Sequence, residues 1–278
     1  MSHDPRTTLA RPDLAARSLE GVLPAGAYAD PALMVCAAPS AAIRRAPHPD
    51  AEQLDQLLFG EVFEVLETEG GFSWGQARRD GYVGFVEAAA LAPAGAAPTH
   101  RLRAIRTYAF AEPSIKSRAL GPYSLNALVV QEGREGRFLK AAGGGWFVDS
   151  HLAPIGEAFE SDPAAVVERF VGAPYLWGGR ESLGLDCSGL VQQALYACGR
   201  ACPRDTDQQE AAFASVARAD LTRGDLVFWR GHVGMMVDSD RLIHANAHHM
   251  AVTVEPLDEV AARVLAAEGR EPTSYRRP

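Results

Sequence analysis

Cys187 is the side chain in this sequence best placed to act as a nucleophile. It lies in Asp186-Cys187-Ser188-Gly189-Leu190, at the head of a run whose apolar residues are Leu190, Val191, Ala194, Leu195 and Cys198. That spacing predicts a helix with one buried face, capped by Asp186 and ended by Gly199 in the left-handed conformation. A thiol in the first turn of such a helix meets unpaired N–H groups and the positive end of the macrodipole. Both favour the thiolate, and the same N–H groups suit the oxyanion of a tetrahedral intermediate. The alternative for any one cysteine is a small buried hydrophobe.

A hairpin supplies the base. His232 to Val237 and Leu242 to Ala245 read as antiparallel strands joined across Asp238-Ser239-Asp240. A turn centred on Ser239 sets His232 opposite Asn246 and His244 opposite Gly234. Positions 232 and 244 then share parity, so both imidazoles leave the same face as diagonal neighbours. One ring can take the thiol proton, and a second ring bonded to the first fixes its tautomer. Either histidine alone is an ordinary strand residue. His244-x3-His248 has the spacing of helical zinc ligands, but position 245 is alanine and the segment reads as strand and loop. No metal and no organic cofactor are expected.

The elements that must position these groups lie after residue 155. Asp162-Pro163 opens a helix through Phe170, Gly224 to Trp229 is a strand, and Val252 to Glu255 is another. A helix carrying the thiol against a small antiparallel sheet is an α+β arrangement. Ahead of it, Met34–Cys36, Glu61–Glu67, Phe72–Ala77 and Tyr82–Val86 read as short strands separated by glycine turns, which suggests a small β-barrel. Leu125–Val130, Arg137–Ala142 and Trp146–Val148 repeat the plan. Phe85-Val86-Glu87 with Leu91-Ala92-Pro93 aligns with Phe147-Val148-Asp149 with Leu152-Ala153-Pro154, the mark of a tandem duplication. The expected division is an arm over 1–26, barrels over 27–95 and 96–155, and the thiol domain over 156–278.

Composition narrows the class further. The 278 residues are 47% hydrophobic and 22% charged, with a net charge of −8, ordinary for a globular chain and wrong for a nucleic-acid partner. Four cysteines show no disulfide framework, which fits a reducing compartment. Residues 1–23 mix charges with short apolar pieces and do not read as a signal peptide, and no run reaches membrane-span length. A cytoplasmic location without membrane association is therefore expected.

Together, Asp186-Cys187-Ser188-Gly189-Leu190-Val191, Gly231-His232-Val233-Gly234-Met235, Leu242-Ile243-His244-Ala245 and the upstream Tyr175-Leu176-Trp177-Gly178-Gly179 resemble the signatures of the NlpC/P60 cysteine peptidases. The resemblance covers about residues 160–277. Gly60-Glu61-Val62 and Gly81-Tyr82-Val83-Gly84-Phe85-Val86 resemble bacterial SH3-like modules, and the second barrel keeps only Gly-Trp-Phe-Val.

The resemblance implies a reduced papain-like α+β domain behind two SH3-like barrels. It also implies an enzyme that hydrolyses the γ-D-glutamyl–diamino acid bond of free peptidoglycan stem peptides during murein peptide recycling. By that likeness Cys187 is the nucleophile, His232 the base, His244 the orienting ring and Tyr175 an oxyanion donor. Trp177, Asp186 and Ser188 would line the substrate cleft. Asp205 and Thr206, in Pro203-Arg204-Asp205-Thr206-Asp207-Gln208-Gln209, would join Glu61 and Tyr82 in holding the free amine of L-alanine. Asp205 as a plain helix cap is the alternative. Rival readings are a hydrolase of intact wall anchored by its SH3-like modules and a non-catalytic murein-peptide-binding protein.

Overall fold

Alternating burial turns the first half of the chain into sheets. In the computed structural model, which describes residues 3–157 and 159–278, Ser40–Arg44 buries every second side chain, and Val62–Glu69 does so over its first half. Met1, Ser2 and Ala158 lie outside the described residues, and with them the first two positions of the expected arm and one position of the expected thiol domain. The chain forms two compact units, Met1–Glu157 and Ala158–Pro278.

The first unit contains a seven-stranded antiparallel sheet in the order Gln53–Leu58, Ser40–Arg44, Val83–Glu87, Phe72–Ala77, Val62–Glu69, Ala32–Cys36, Leu91–Pro93. Cys36, Ile43, Leu57, Phe63 and Val86 fill its core. Residues 100–154 add a three-stranded and a five-stranded sheet. Each segment closes in the same way, with a strand, a single 3-10 turn and a short strand ending in Leu-Ala-Pro.

Phe59 ties the segments together. It packs edge-on to Tyr123 at 5.1 Å and lies 6.5 Å from Phe147, inside the core built by Leu102, Val129, Leu139 and Leu152. Residues Leu14–Ala16 and Ala27–Ala29 pair in parallel, and Leu9 and Ala16 pack on Trp74.

In the second unit the helices are α1 (Pro163–Glu168), α2 (Cys187–Ala197), α3 (Thr206–Ala212) and α4 (Leu257–Glu268). The strands of the main sheet are β1 (Ala214–Ser215), β2 (Leu226–Trp229), β3 (His232–Met236), β4 (Arg241–Asn246), β5 (Ala251–Pro256) and β6 (Ser274–Arg277), in the order β1-β6-β2-β3-β4-β5. Every pairing is antiparallel.

Met235 pairs with Ile243 and Met236 with Leu242, the register of a turn centred on Ser239. The expected single buried face of α2 is too narrow, because all eleven of its residues are buried. The helix is enclosed by α1, by β3 and β4, and by the small hairpin of Arg180–Glu181 and Gly184–Leu185. Inside, Gln192 Nε2 donates to the Tyr196 hydroxyl at 3.1 Å and to the Cys202 carbonyl at 3.2 Å. Among the described residues no helix is long and apolar enough to cross a membrane.

Candidate active site

The N-terminus of α2 is fastened by the carboxylate next to the thiol. Asp186 Oδ1 accepts from Gly189 N at 2.8 Å as the helix cap, and Oδ2 accepts from Gly178 N at 2.9 Å. Arg204, 1% exposed, closes the arrangement with two bonds to the same carboxylate, at 3.0 and 2.6 Å, and a third to Ser188 Oγ at 2.7 Å. Ser188 Oγ in turn lies 3.2 Å from Asp186 Oδ1. The expectation that the Asp186 and Ser188 side chains line the substrate cleft is therefore corrected. Both are buried and spend their oxygens on the loop and on Arg204.

The glycine pair of Tyr175-Leu176-Trp177-Gly178-Gly179 serves the same junction. A Cβ on Gly189 would stand 2.2 Å from the Gly179 carbonyl oxygen, so the first turn of α2 rests backbone against backbone on that loop. Tyr175 is anchored through its N–H to the Met250 carbonyl at 3.0 Å. Trp177 is 57% exposed.

His232 opens β3 after a two-residue turn at Arg230-Gly231, where Gly231 takes a φ of +80°. Its Nε2 lies 2.8 Å from Nδ1 of His244, and His244 Nε2 lies 2.8 Å from Glu255 Oε2. The Val233 N–H, one residue along from His232, is a hydrogen-bond donor to the Cys187 sulfur. The structure thus joins His232 to His244 on the hairpin of β3 and β4, which packs against the helix that carries Cys187. Glu255 is the member that sequence reasoning missed. His244 pairs with Thr253 across β4 and β5, so Glu255, two residues further on the same face, is its diagonal neighbour. The parity argument made for the first hairpin, applied to the second, would have found it.

Electrostatics oppose one expectation. Burial pushes the Cys187 thiol up to about 12, and the neighbouring Asp186 charge adds to the rise. The Val233 and Ser188 N–H groups and Arg204 act the other way without overcoming it. Burial also pushes His232 down to about 3, with His244 acting in the same sense. The Trp229 ring, 5.8 Å from the imidazole, is part of what excludes water there. Both shifts favour the uncharged forms and so oppose the thiolate expected from the helix position. Burial first, and then the neighbouring Cys187 and Asp186, raise the Tyr175 phenol, so it remains a proton donor at neutral pH.

The remaining expected site residues serve their own elements. Asp205 caps α3 in a reciprocal box with Gln208, whose Oε1 accepts from Asp205 N at 3.2 Å, and Thr206 is the first residue of that helix. Glu61 and Tyr82 are buried in the first unit. Glu61 Oε2 accepts from Leu58 N at 3.0 Å, and Oε1 lies 2.5 Å from Arg79 Nε.

A helix-borne sulfur next to a hairpin with two linked imidazoles gives the second unit the architecture of a cysteine peptidase. Comparison with known proteins agrees. Residues 172–266 match the NlpC/P60 family, and residues 43–91 match the bacterial dipeptidyl-peptidase Sh3 domain. Over residues 172–266 the C-terminal unit is thus similar to the NlpC/P60 family.

The Gamma-D-glutamyl-L-lysine dipeptidyl-peptidase of Bacillus subtilis is 35% identical over 98 residues, 32% of this chain and 33% of that protein. Dipeptidyl-peptidase 6 of Lysinibacillus sphaericus is 33% identical over 103 residues, 37% of this chain and 38% of that protein. The chain spans about a third of the length of these curated relatives. An NlpC/P60 family protein from Bacillus cereus shares the fold, with a TM-score of 0.73 at 19% identity, over 88% of this chain and 99% of that one.

Proposed function

We propose that the protein hydrolyses the bond between γ-D-glutamate and the following L-diamino acid in peptidoglycan stem peptides, releasing L-Ala-D-Glu from peptides with an unblocked L-alanine. The observation that supports this reading is the linked His232–His244 pair on a hairpin packed against the helix that begins at Cys187. The match of residues 172–266 to the NlpC/P60 family and the names of the relatives support the bond chosen.

In this reading the Cys187 proton passes directly to Nδ1 of His232 as the sulfur attacks the γ-carbonyl carbon. Both partners rest neutral, so ionisation and attack are coupled, and the imidazole is already in its accepting form. The Cys187 N–H and the Tyr175 hydroxyl face the developing oxyanion. His232 then gives its proton to the departing amine of the diamino acid. It next takes one from the water that hydrolyses the thioester.

Recognition of the free amine is assigned to the carboxylate of Asp205, and Trp177 forms a wall of the cleft. A carboxylate partner is what a desolvated ammonium requires.

The test is mass spectrometry of products from L-Ala-γ-D-Glu-L-Lys, with and without N-acetylation, using wild type and Cys187→Ala. Cleavage after D-glutamate that is lost in Cys187→Ala supports the reaction, and activity retained in Cys187→Ala refutes it. Equal rates on acetylated and free peptides refute amine recognition. Cleavage of insoluble sacculi at a comparable rate favours action on intact wall.

A further inference from the structure

Glu255 is one residue from the end of β5. It is the end of a continuous line of short contacts. Arg263 on α4 reaches its two oxygens at 2.6 and 3.0 Å. His249, in the turn between β4 and β5, places Nε2 3.2 Å from Oε1. Thr253 on its own strand donates to Oε2 at 3.2 Å. His244 places Nε2 2.8 Å from that same oxygen. Burial alone would raise this carboxyl, but Arg263, then His244 and His249, hold it well below the usual carboxylate range.

An ionised carboxylate can only accept. His244 must therefore carry its proton on Nε2. Burial keeps His244 neutral against the pull of Glu255, so its Nδ1 is an acceptor. The nitrogen 2.8 Å from it, Nε2 of His232, must then be the donor. One nitrogen remains with a lone pair, Nδ1 of His232.

We infer that Glu255 is a positioning residue that sets the tautomers of His244 and His232 in turn and so presents His232 Nδ1 as the base for the Cys187 thiol. The inference rests on the proposed cysteine-peptidase mechanism and adds to it a fourth member supplied by β5.

Two features separate this role from a merely structural one. His244 is 2% exposed and its ring has no room to turn, whereas Arg263 and His249 are 28% and 41% exposed and can swing. In Glu255→Gln the amide oxygen is accordingly expected to face His244, with Arg263 and His249 yielding to the NH2 group. That variant keeps the acceptor and loses only the charge. Glu255→Leu keeps most of the volume and loses the acceptor.

The first measurement is 15N NMR of the full chain labelled in histidine, at neutral pH. His232 and His244 are both expected as the Nε2–H tautomer. A proton on Nδ1 of His232, or a doubly protonated His232, would overturn the inference whatever the fate of the variants.

The second is steady-state kinetics on L-Ala-γ-D-Glu-L-Lys. Glu255→Leu is expected to lose about 10- to 100-fold in kcat at unchanged KM, and Glu255→Gln to stay within about 5-fold of wild type. Equal losses in the two variants, or a loss confined to KM, would overturn it. If wild type shows the stated tautomers but does not cleave the peptide, the proposed substrate fails and the assignment to Glu255 stands. If wild type cleaves the peptide and the tautomers are reversed, the assignment fails alone.

Discussion

Replacing His232 by glutamine should flatten the acid side of the stability curve of the C-terminal unit. In the folded chain burial holds this imidazole down to about 3, against an ordinary value of 6.5. Above pH 6.5 neither the folded nor the unfolded form binds the proton, and the shift has no effect. As pH falls below 6.5 the unfolded chain takes up a proton that the folded site refuses, so stability declines until pH reaches about 3. At pH 4.5 the gap amounts to about two pH units, or about 2–3 kcal/mol at 1.36 kcal/mol per unit.

The protein has two units, so a global signal would mix their transitions. Fluorotryptophan NMR avoids this, because Trp177 and Trp229 report the C-terminal unit, while Trp74 and Trp146 report the other. Urea titrations at pH 7.5 and 4.5 give the acid-induced loss for wild type and for His232→Gln. Wild type should lose about 2–3 kcal/mol more than the variant. A thiolate–imidazolium pair would hold the same single proton and give the same loss, so this titration tests only whether the folded site refuses a second proton, and thiol labelling separates the two pairs. A difference below about 0.5 kcal/mol, or a gain on acidification, refutes that refusal.

Other outcomes follow from the same geometry. Iodoacetamide should label Cys187 of the resting protein far more slowly than a free thiol at pH 7, with the rate climbing only beyond pH 9; rapid labelling at neutral pH, followed by peptide mass spectrometry, contradicts a buried neutral thiol. Tyr175→Phe removes one oxyanion donor and should lower kcat by roughly 10²-fold at little change in KM, measured on the stem peptide. Gly189→Ala drives a methyl group to 2.2 Å from the Gly179 carbonyl oxygen and should destabilise the C-terminal unit by more than about 2 kcal/mol in urea unfolding. Arg204→Met strands the buried Asp186 carboxylate and should cost about 3–5 kcal/mol, partly recovered by adding Asp186→Asn.

The residues that do the chemistry were legible because each announces itself locally. Asp186 and Gly199 mark the ends of α2, and the spacing of His232 from His244 about Ser239 determines which face they share. Arg204 was not legible as the clamp on the α2 cap, since its partners lie 16 and 18 residues upstream and no local period connects them. The desolvation of the thiol was not legible for a related reason. The macrodipole is a property of the helix and can be seen in sequence, whereas desolvation is a property of everything packed around it. Strands Ser40–Arg44 and Gln53–Leu58 escaped notice because Asp55 and Gln56 are buried side by side and break the alternation that marks a strand. Helix α4 carries Leu257, Val260, Ala261 and Val264 on one side, a signal that was present and unused.

The anchoring of Phe59 bears on how this chain can be cut and recombined. Phe59, which follows strand Gln53–Leu58 of the seven-stranded sheet, completes the hydrophobic interior of residues 100–154, so the two segments are expected to fold together. Severing the chain near residue 95 would leave one fragment with a sticky ring in water and the other with a hole at its centre. Domain shuffling, by evolution or at the bench, has to carry residues 27–155 as one piece.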